Sequence, residues 1–175
     1  MSIGARIVAA MSQSDAHSGA DHGRQWWVYL AGEIHTDWRA QIERAARDSD
    51  LPVAFTSPVL DHEASDSVGT AILGAEEQAC WRDRKGAQIN AIRTRTYLSD
   101  ADLVVVRFAV GEEPGGSYRQ WNAAFDAGYA AALGKPIIAL HGGEGAHALK
   151  ELDAAALAVA STVEQVIEIL RYVTA

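Results

Sequence analysis

One run of four large apolar residues, Leu103-Val104-Val105-Val106, constrains the fold of this chain more than any other feature. A strand that is covered on one face alternates apolar and polar side chains, so an unbroken run indicates a strand buried on both faces. Strands of this kind belong to parallel sheets, whose crossover connections are helices packed on both faces. The chain is therefore expected to alternate strands with helices.

Four further segments have strand character, and segments with helical periodicity lie between them. The predicted strands cover residues 26–31, 52–56, 103–106, 137–140 and, more weakly, 157–159. The predicted helices cover residues 36–50, 68–73, 87–99, 117–133, 147–152 and 162–172. Strands joined in this way pair in parallel through right-handed crossovers. We therefore predict a three-layer, doubly wound α/β domain at residues 25–175, with a flavodoxin-like five-stranded parallel sheet in the order 2-1-3-4-5.

The spacing of apolar residues predicts which face of each helix is buried. The first helix is expected to bury Trp38, Ile42, Ala45 and Ala46, and the last helix Val163, Val166, Ile167 and Leu170. For the helix at 117–133 the expected buried stripe is Trp121, Phe125, Gly128 and Ala132. The helix at 87–99 is expected to direct Ile89, Ile92 and Thr96 inward.

Composition excludes several classes of protein. A formal net charge of −8 argues against a nucleic-acid polymer as partner, because binding phosphates requires a basic surface. Cys80 is the single cysteine, so an intrachain disulfide is impossible, and neither a metal site nor a cofactor is expected. Residues 1–24 are rich in Ser, Asp, His and Gly and are predicted to form a disordered leader. With no apolar run of about 18 residues or more, a membrane partner is not expected and the predicted location is the cytoplasm.

Polar side chains cluster where the predicted strands end. In a doubly wound sheet, ligands bind outside the carboxyl ends of the strands, where the strand order reverses. The loop after the first strand contains Gly32, where a ligand can approach the backbone, followed closely by Glu33 and His35. A carboxylate and an imidazole in one tight turn favour a role in proton transfer, although a solvated turn has the same composition.

Two more groups point to the same edge of the sheet. Asn122 and Asp126 are four residues apart and share one helix face, and Asp is an uncommon choice in mid-helix. Arg107, at the end of the Val104–Val106 run, suits either a phosphate or carboxylate ligand or an ion pair with Glu112 or Glu113. The segment His62-Glu63 with Asp66 fits no metal-binding spacing and is interpreted as a polar loop.

Several common motifs are absent from the sequence. It contains no Gly-x-Gly-x-x-Gly after a strand, no Walker loop, no Gly-x-Ser-x-Gly and no His-Glu-x-x-His. These absences argue against the common dinucleotide-binding, NTP-hydrolysing, esterase and zinc-protease types of site.

Longer motifs carry a family resemblance. They are Tyr29-Leu30-Ala31-Gly32-Glu33-Ile34-His35-Thr36-Asp37-Trp38-Arg39, Ile89-Asn90 with Arg93-Thr94-Arg95, and Gln120 to Ala130 followed by Leu133-Gly134-Lys135-Pro136. In these motifs the chain resembles the YtoQ family. It is similar, more distantly, to the nucleoside 2-deoxyribosyltransferase superfamily, which has a flavodoxin-like fold and breaks or exchanges N-glycosidic bonds. The superfamily also pairs Ala-Asp before its third strand, as Ala101-Asp102 do here.

The resemblance implies roles for individual residues. Asp126 stands where the superfamily has a nucleophilic Glu, so Asp126 is the expected nucleophile or oxocarbenium stabiliser, and Glu33 or His35 the proton donor. Glu33 is also an alternative source of the catalytic carboxylate. The expected substrate-binding residues are Tyr29, Gly32, Trp38, Arg107, Trp121 and Asn122. The implied partner is a small nucleoside or nucleotide, and the implied assembly is a homodimer or larger homo-oligomer. A binding module without catalysis is the alternative function.

Overall fold

The computed structural model describes residues 24–77, 83–109, 116–142 and 150–175 of the 175-residue chain. Its strands are β1 (Trp26–Ala31), β2 (Val53–Thr56), β3 (Leu103–Ala109), β4 (Ile137–Gly142) and β5 (Ala158–Ala160). Its helices are α1 (Trp38–Asp48), α2 (His62–Leu73), α3 (Arg84–Asp100), α4 (Gly116–Ala132), α5 (Lys150–Ala155) and α6 (Val163–Thr174). The predicted leader and Cys80 lie outside the described residues, apart from Arg24.

The five strands form one parallel sheet in the order β2-β1-β3-β4-β5, as predicted. Strand β3 is central and longer than expected, because it continues through Arg107 and Phe108 to Ala109. Its register pairs Val104 with Tyr29 of β1 and with Ile137 of β4. The strand order reverses between β1 and β3, so the carboxyl ends of these two strands define the crevice.

Two apolar clusters cover the two faces of the sheet. One contains Val28, Leu30 and Val105 with residues of α1 and α6, and the other contains Tyr29, Val104 and Val106 with residues of α3 and α4. Val104, Val105 and Val106 are each completely buried, which confirms that the central strand is covered on both faces. The predicted inner faces of α1 and α6 are also confirmed at Trp38, Ile42, Ala46, Val166, Ile167 and Leu170.

The predicted buried stripe on α4 is wrong. Trp121 and Phe125 are 64% and 60% exposed, and Gly128 and Ala132 are exposed as well. The helix instead buries Ala123, Asp126, Ala127 and Ala130. Small alanine side chains let α4 lie close to the sheet, whereas the rings of Trp121 and Phe125 are too large for that contact. The face containing Asp126 is therefore the inner face of α4.

Helices α2 and α3 also differ from the prediction. Helix α2 begins at His62 rather than near Val68, because the Asp61 side chain accepts a hydrogen bond from the Ala64 N–H and caps it. The segment interpreted as a polar loop is thus the first half of a helix. On α3, Ile92 is 65% exposed and Thr96 is exposed, so the predicted inner positions of these two residues are wrong.

Helices α2 and α3 cross with their backbones in direct contact. A Cβ atom added to Gly69 would lie 2.0 Å from the backbone nitrogen of Gly86. The Asn90 side chain on α3 donates to the carbonyl of Ser65 at 2.9 Å and fixes the crossing. The pair therefore packs without side chains at its closest point. In the described ranges, no helix is both long enough and apolar enough to cross a bilayer.

Candidate active site

The carboxyl ends of β1 and β3 meet at Gly32 and Arg107. Gly32 has φ of +144°, and a Cβ atom there would lie 3.0 Å from the backbone oxygen of Arg107 and 3.1 Å from the Trp38 ring. Only glycine fits this backbone conformation and this space without strain. Glycine at position 32 thus allows the chain to leave β1 directly over the end of β3.

Glu33 lies inward in the turn that follows Gly32. Its carboxylate accepts hydrogen bonds from the N–H groups of His35 and Thr36, at 2.6 and 3.1 Å, and from the Thr36 hydroxyl. It also forms an ion pair with Arg107, and its side chain is only 7% exposed. Burial alone would raise the pKa of Glu33, but these hydrogen bonds and the charge of Arg107 outweigh burial and lower it. Glu33 is therefore an ionised residue that organises the turn.

Arg39 is a site residue that the candidate list from sequence omits. It is 2% exposed, and it donates to the carbonyls of Leu30, Gly32 and Glu33 at 3.0, 2.8 and 2.6 Å. Burial lowers the pKa of Arg39 to about 10, so the guanidinium stays charged at neutral pH. The available signal was its place in the motif Thr36-Asp37-Trp38-Arg39, at the start of the helix that follows the turn after β1.

Trp38 supports the same turn. Its ring N–H donates to the Glu33 carbonyl at 3.1 Å, and the residue is 2% exposed. The guanidinium carbons of Arg39 and Arg107 lie 4.5 and 5.9 Å from the ring centroid. Both are within the range of cation–π contacts. The Trp38 ring is thus buried, and its N–H group is bonded within the protein.

Asp126 is the buried carboxyl group of the site. It lies on the inner face of α4 and is 8% exposed. Burial raises the pKa of Asp126 to about 7, and the charge of Arg39 limits the rise. The charges of Asp126 and Arg39 both act on the phenol of Tyr29, whose pKa burial also raises. Asp126 thus lies on the helix face that packs against the sheet face of Tyr29, and the charges of Asp126 and Glu33 both act on Arg39.

The remaining candidates lie at different depths. Tyr29 is completely buried, with its hydroxyl 3.5 Å from Thr94 of α3. His35 is exposed, and its ring stacks on that of His62 with centroids 6.1 Å apart. Asn122 is exposed on α4, so it does not accompany Asp126 into the interior. The structure thus brings Gly32, Glu33, Trp38 and Arg107 together with Arg39 at the end of β1, while Tyr29 and Asp126 are buried on the sheet face that α4 covers.

A second buried polar pair lies at the end of β4. His141 is 5% exposed, and its Nε2 lies 2.7 Å from Asp153 of α5. The ring stacks on Phe108 at 5.8 Å, and within the described part of the chain its buried Nδ1 has no hydrogen-bond partner. Sequence reasoning missed this pair because the two residues lie on separate elements. Among the described residues no group of three or more His, Cys, Asp or Glu side chains is arranged for a metal ion.

The arrangement combines the buried carboxyl group of Asp126 with a turn that contains the ionised carboxylate of Glu33. Because burial raises the pKa of Asp126 to about 7, the side chain can be a carboxylate or carry a proton near neutral pH. A carboxylate of this kind can attack an electrophilic carbon or stabilise a developing positive charge. The exposed His35 supplies an imidazole ring on the same turn. The chemistry available is therefore that of a carboxylate acting with an imidazole.

Comparisons with known proteins give one family. The model of the family described as nucleoside 2-deoxyribosyltransferase YtoQ matches residues 29–174. The uncharacterized protein YtoQ of Bacillus subtilis is 41% identical over 145 residues, which are 83% of this chain and 94% of that protein. A 2-deoxyribosyltransferase of Bacillus psychrosaccharolyticus has a similar fold, with a TM-score of 0.52 and 17% identity over 81% of this chain and 90% of that one. The CMP N-glycosidase BcmB of Clostridium botulinum aligns with a TM-score of 0.42 and 14% identity, over 83% of this chain and 98% of that one.

Proposed function

Because the chain belongs to the nucleoside 2-deoxyribosyltransferase YtoQ family, we propose that it cleaves or transfers at the N-glycosidic bond of a nucleoside or nucleoside monophosphate. The observation that carries this proposal is the buried Asp126 on the inner face of α4, which packs against the sheet face that contains Tyr29. A carboxylate in this position suits a reaction in which positive charge develops on a sugar carbon.

The proposed reaction has two steps. The Asp126 carboxylate attacks the anomeric carbon while the bond from that carbon to the base nitrogen breaks, and the leaving base takes up a proton. An acceptor then displaces Asp126 from the glycosyl-enzyme and loses a proton. A second base as acceptor gives transfer, and water gives hydrolysis. The net reaction in both cases exchanges one substituent on the anomeric carbon for another.

His35, rather than Glu33, is the proposed proton donor. The carboxylate of Glu33 already accepts hydrogen bonds from His35 N–H, from two groups of Thr36 and from Arg107. These contacts lower the pKa of Glu33 and remove the proton that a general acid needs. The His35 ring is exposed on the same turn, and an imidazole is a common proton donor in catalysis. Glu33 then serves to hold His35 at the mouth of the site.

The nucleobase is proposed to stack on Trp121 rather than on Trp38. Trp38 is 2% exposed and contacts Arg39, whereas the Trp121 side chain is 64% exposed in the first half of α4. Helix α4 follows β3 and therefore begins at the carboxyl edge of the sheet. The proposed substrate spans from Trp121 at this edge to Asp126 on the inner face.

The first experiment follows free base by chromatography after incubation with a panel of nucleosides and nucleoside monophosphates. We expect base release by the wild type, and a decrease of at least about a hundredfold in Asp126→Asn. Glu168→Gln, which removes an exposed carboxylate on α6, serves as the matched control and retains wild-type rates. Equal rates in Asp126→Asn and wild type would remove Asp126 from the mechanism. Saturable binding without turnover would instead favour a binding module.

A homo-oligomer is proposed from the exposed surface of α3 and α4. Ile92 and Phe125 are 65% and 60% exposed, which is unusual for large apolar side chains at neighbouring positions. The two helices run in the same direction and touch where Arg95 lies 5.8 Å from the Tyr129 ring centroid. Ile92 precedes Arg95 by three residues and Phe125 precedes Tyr129 by four, so both lie about one turn before the contact. Their apolar surface is proposed to pack against a second copy of the chain.

A further inference from the structure

Two imidazole rings from separate elements are in contact beside the turn that follows β1. His35 belongs to that turn, and His62 is the first residue of α2. Their ring centroids lie 6.1 Å apart with an angle of 30° between the ring planes, which is a stacked arrangement. The contact therefore joins the proposed proton donor to a helix that has no other part in the proposed reaction.

The main chain of His35 is held separately from its ring. The N–H of His35 donates to the Glu33 carboxylate at 2.6 Å, which fixes the backbone within the turn. The ring is exposed, and among the described residues it makes no hydrogen bond. An exposed side chain without a bonded partner exchanges between its staggered rotamers. Stacking on His62 is therefore the contact that favours one direction of the His35 ring.

The His62 ring is itself held by a second residue of α2. Its Nδ1 lies 3.1 Å from the carboxylate of Asp66, which is four residues further along and on the same face of the helix. A carboxylate accepts hydrogen bonds and cannot donate them, so the Nδ1 of His62 carries a proton in this pair. The bond limits rotation of the His62 ring while His35 stacks on it.

Helix α2 is fixed at the turn that carries this pair. The carbonyl of Ser65 accepts a hydrogen bond from the Asn90 side chain of α3 at 2.9 Å. A Cβ atom added to Gly86 of α3 would lie 2.6 Å from the backbone oxygen of Asp66, so the two backbones are in direct contact there. The position of the His62 ring is therefore set by packed helices and not by the turn on which His35 lies.

We propose that His62, held by Asp66, is a positioning residue for His35: it keeps the imidazole of the turn in the direction from which it protonates the leaving base. This inference rests on the proposed function, in which His35 is the proton donor. It assigns neither His62 nor Asp66 a contact with substrate. A general acid must lie within hydrogen-bond distance of the atom that it protonates, so a His35 ring spread over several rotamers transfers its proton less often.

The first test measures the ordering of the His35 ring by NMR in the ligand-free protein. Three-bond couplings from its Cγ to its own backbone nitrogen and carbonyl carbon report how χ1 is distributed over the staggered rotamers. We expect one dominant rotamer in the wild type and averaged couplings in both His62→Ala and Asp66→Ala. His62→Phe keeps a ring for stacking and should retain part of the ordering.

The control for these variants is Glu63→Gln, which removes an exposed carboxylate from the same turn of α2. It should leave the couplings of His35 unchanged. Unchanged couplings in His62→Ala would overturn the proposal, and unchanged couplings in Asp66→Ala would remove Asp66 from it.

Activity gives a second measurement. A general acid typically contributes about a hundredfold or more, so partial loss of its ordering in His62→Ala should lower kcat about three- to tenfold with little change in KM. In a His35→Ala background the same substitution should have no further effect, because His62 acts through His35. An equal decrease in both backgrounds would overturn the proposal. The NMR couplings require no substrate, so a lack of turnover in every variant would refute the proposed function without affecting that result.

Discussion

Glu33 and Arg107 form an ion pair that joins the carboxyl end of β1 to that of β3. The pair occupies the point where the strand order reverses, and both side chains are largely buried there, at 7% and 19% exposure. Sequence reasoning left Arg107 open between an anionic ligand and a neighbouring glutamate. In the structure Arg107 pairs with Glu33, which is distant in sequence, and the predicted partners Glu112 and Glu113 lie outside the described residues. The carboxylate thereby fixes the turn that carries His35 and precedes Arg39.

Replacing Glu33 by Gln should destabilise the protein at neutral pH. The substitution leaves Arg107 without its partner and weakens the bonds to Thr36 and His35, so a loss of roughly 1–3 kcal/mol in the free energy of unfolding is expected. Glu168→Gln, which breaks the exposed pair with Arg171, should cost less than about 1 kcal/mol. Urea unfolding at pH 7 measures both variants.

The same variant has a defined pH dependence. The pKa of Glu33 is lower in the folded protein than its usual value of 4.5. The stabilisation is therefore complete above pH 4.5 and disappears as the pH falls through the lower, folded-state pKa. The difference in stability between wild type and Glu33→Gln should shrink as the pH is lowered below 4.5. A difference that stays constant down to pH 2 would contradict this account of Glu33.

Asp126 should give the opposite pH dependence. Burial raises the pKa of Asp126 from 3.8 to about 7, so the folded state favours the protonated form. The stability that Asp126 contributes to the folded state is complete below about pH 4 and is lost as the pH rises through 7. Asp126→Asn stays neutral at all pH values and should gain stability relative to the wild type between pH 4 and pH 8, on the order of a few kcal/mol. Parallel stability curves for the two proteins over that range would show that Asp126 is not buried as described.

The sheet could be predicted from sequence because its signals are local. The run from Leu103 to Val106 reports burial on both faces, and strict alternation with helices leaves few possible topologies. A turn at Gly32 could also be predicted, because a glycine directly follows the first strand. The structure shows why glycine is needed there, since its φ is +144°, which other residues rarely adopt.

The inner face of α4 could not be predicted in the same way. Large aromatic residues at helical spacing usually mark the core, and Trp121 and Phe125 have that spacing. Which face packs on the sheet depends on how closely α4 approaches β3, and close approach favours Ala123, Ala127 and Ala130. The same closeness brings Asp126 inward. The role of Arg39 was equally hidden, because its partners are backbone carbonyls, which carry no sequence signal.

The exposed apolar residues of α3 and α4 give a prediction about assembly. If Ile92 and Phe125 pack against a second copy, the double variant Ile92→Ser with Phe125→Ser should have a lower mass in light scattering than the wild type. Leu157→Ser is the matched control, because Leu157 is 79% exposed and lies in the segment before β5, outside both helices. It should leave the mass unchanged. A wild type that is monomeric at all concentrations would refute the homo-oligomer.

The crossing of α2 and α3 gives a prediction about stability. A Cβ atom at Gly69 would lie 2.0 Å from backbone atoms of Lys85 and Gly86, so Gly69→Ala must push the two helices apart. We expect a loss of roughly 1–3 kcal/mol in the free energy of unfolding, or local detachment of α2. Urea unfolding measures the first outcome and faster amide hydrogen exchange in α2 the second.

The control for this substitution is Gly128→Ala on α4. A Cβ atom at Gly128 meets no atom within 4 Å, and the residue lies within the helix. Alanine there should therefore stabilise the protein by about 0.5–1 kcal/mol, because it restricts the unfolded chain more than glycine does. The same substitution of glycine by alanine is thus expected to lower the free energy of unfolding at position 69 and to raise it at position 128. If Gly69→Ala were stabilising as well, with unchanged exchange in α2, the two helices could not be in backbone contact at this crossing.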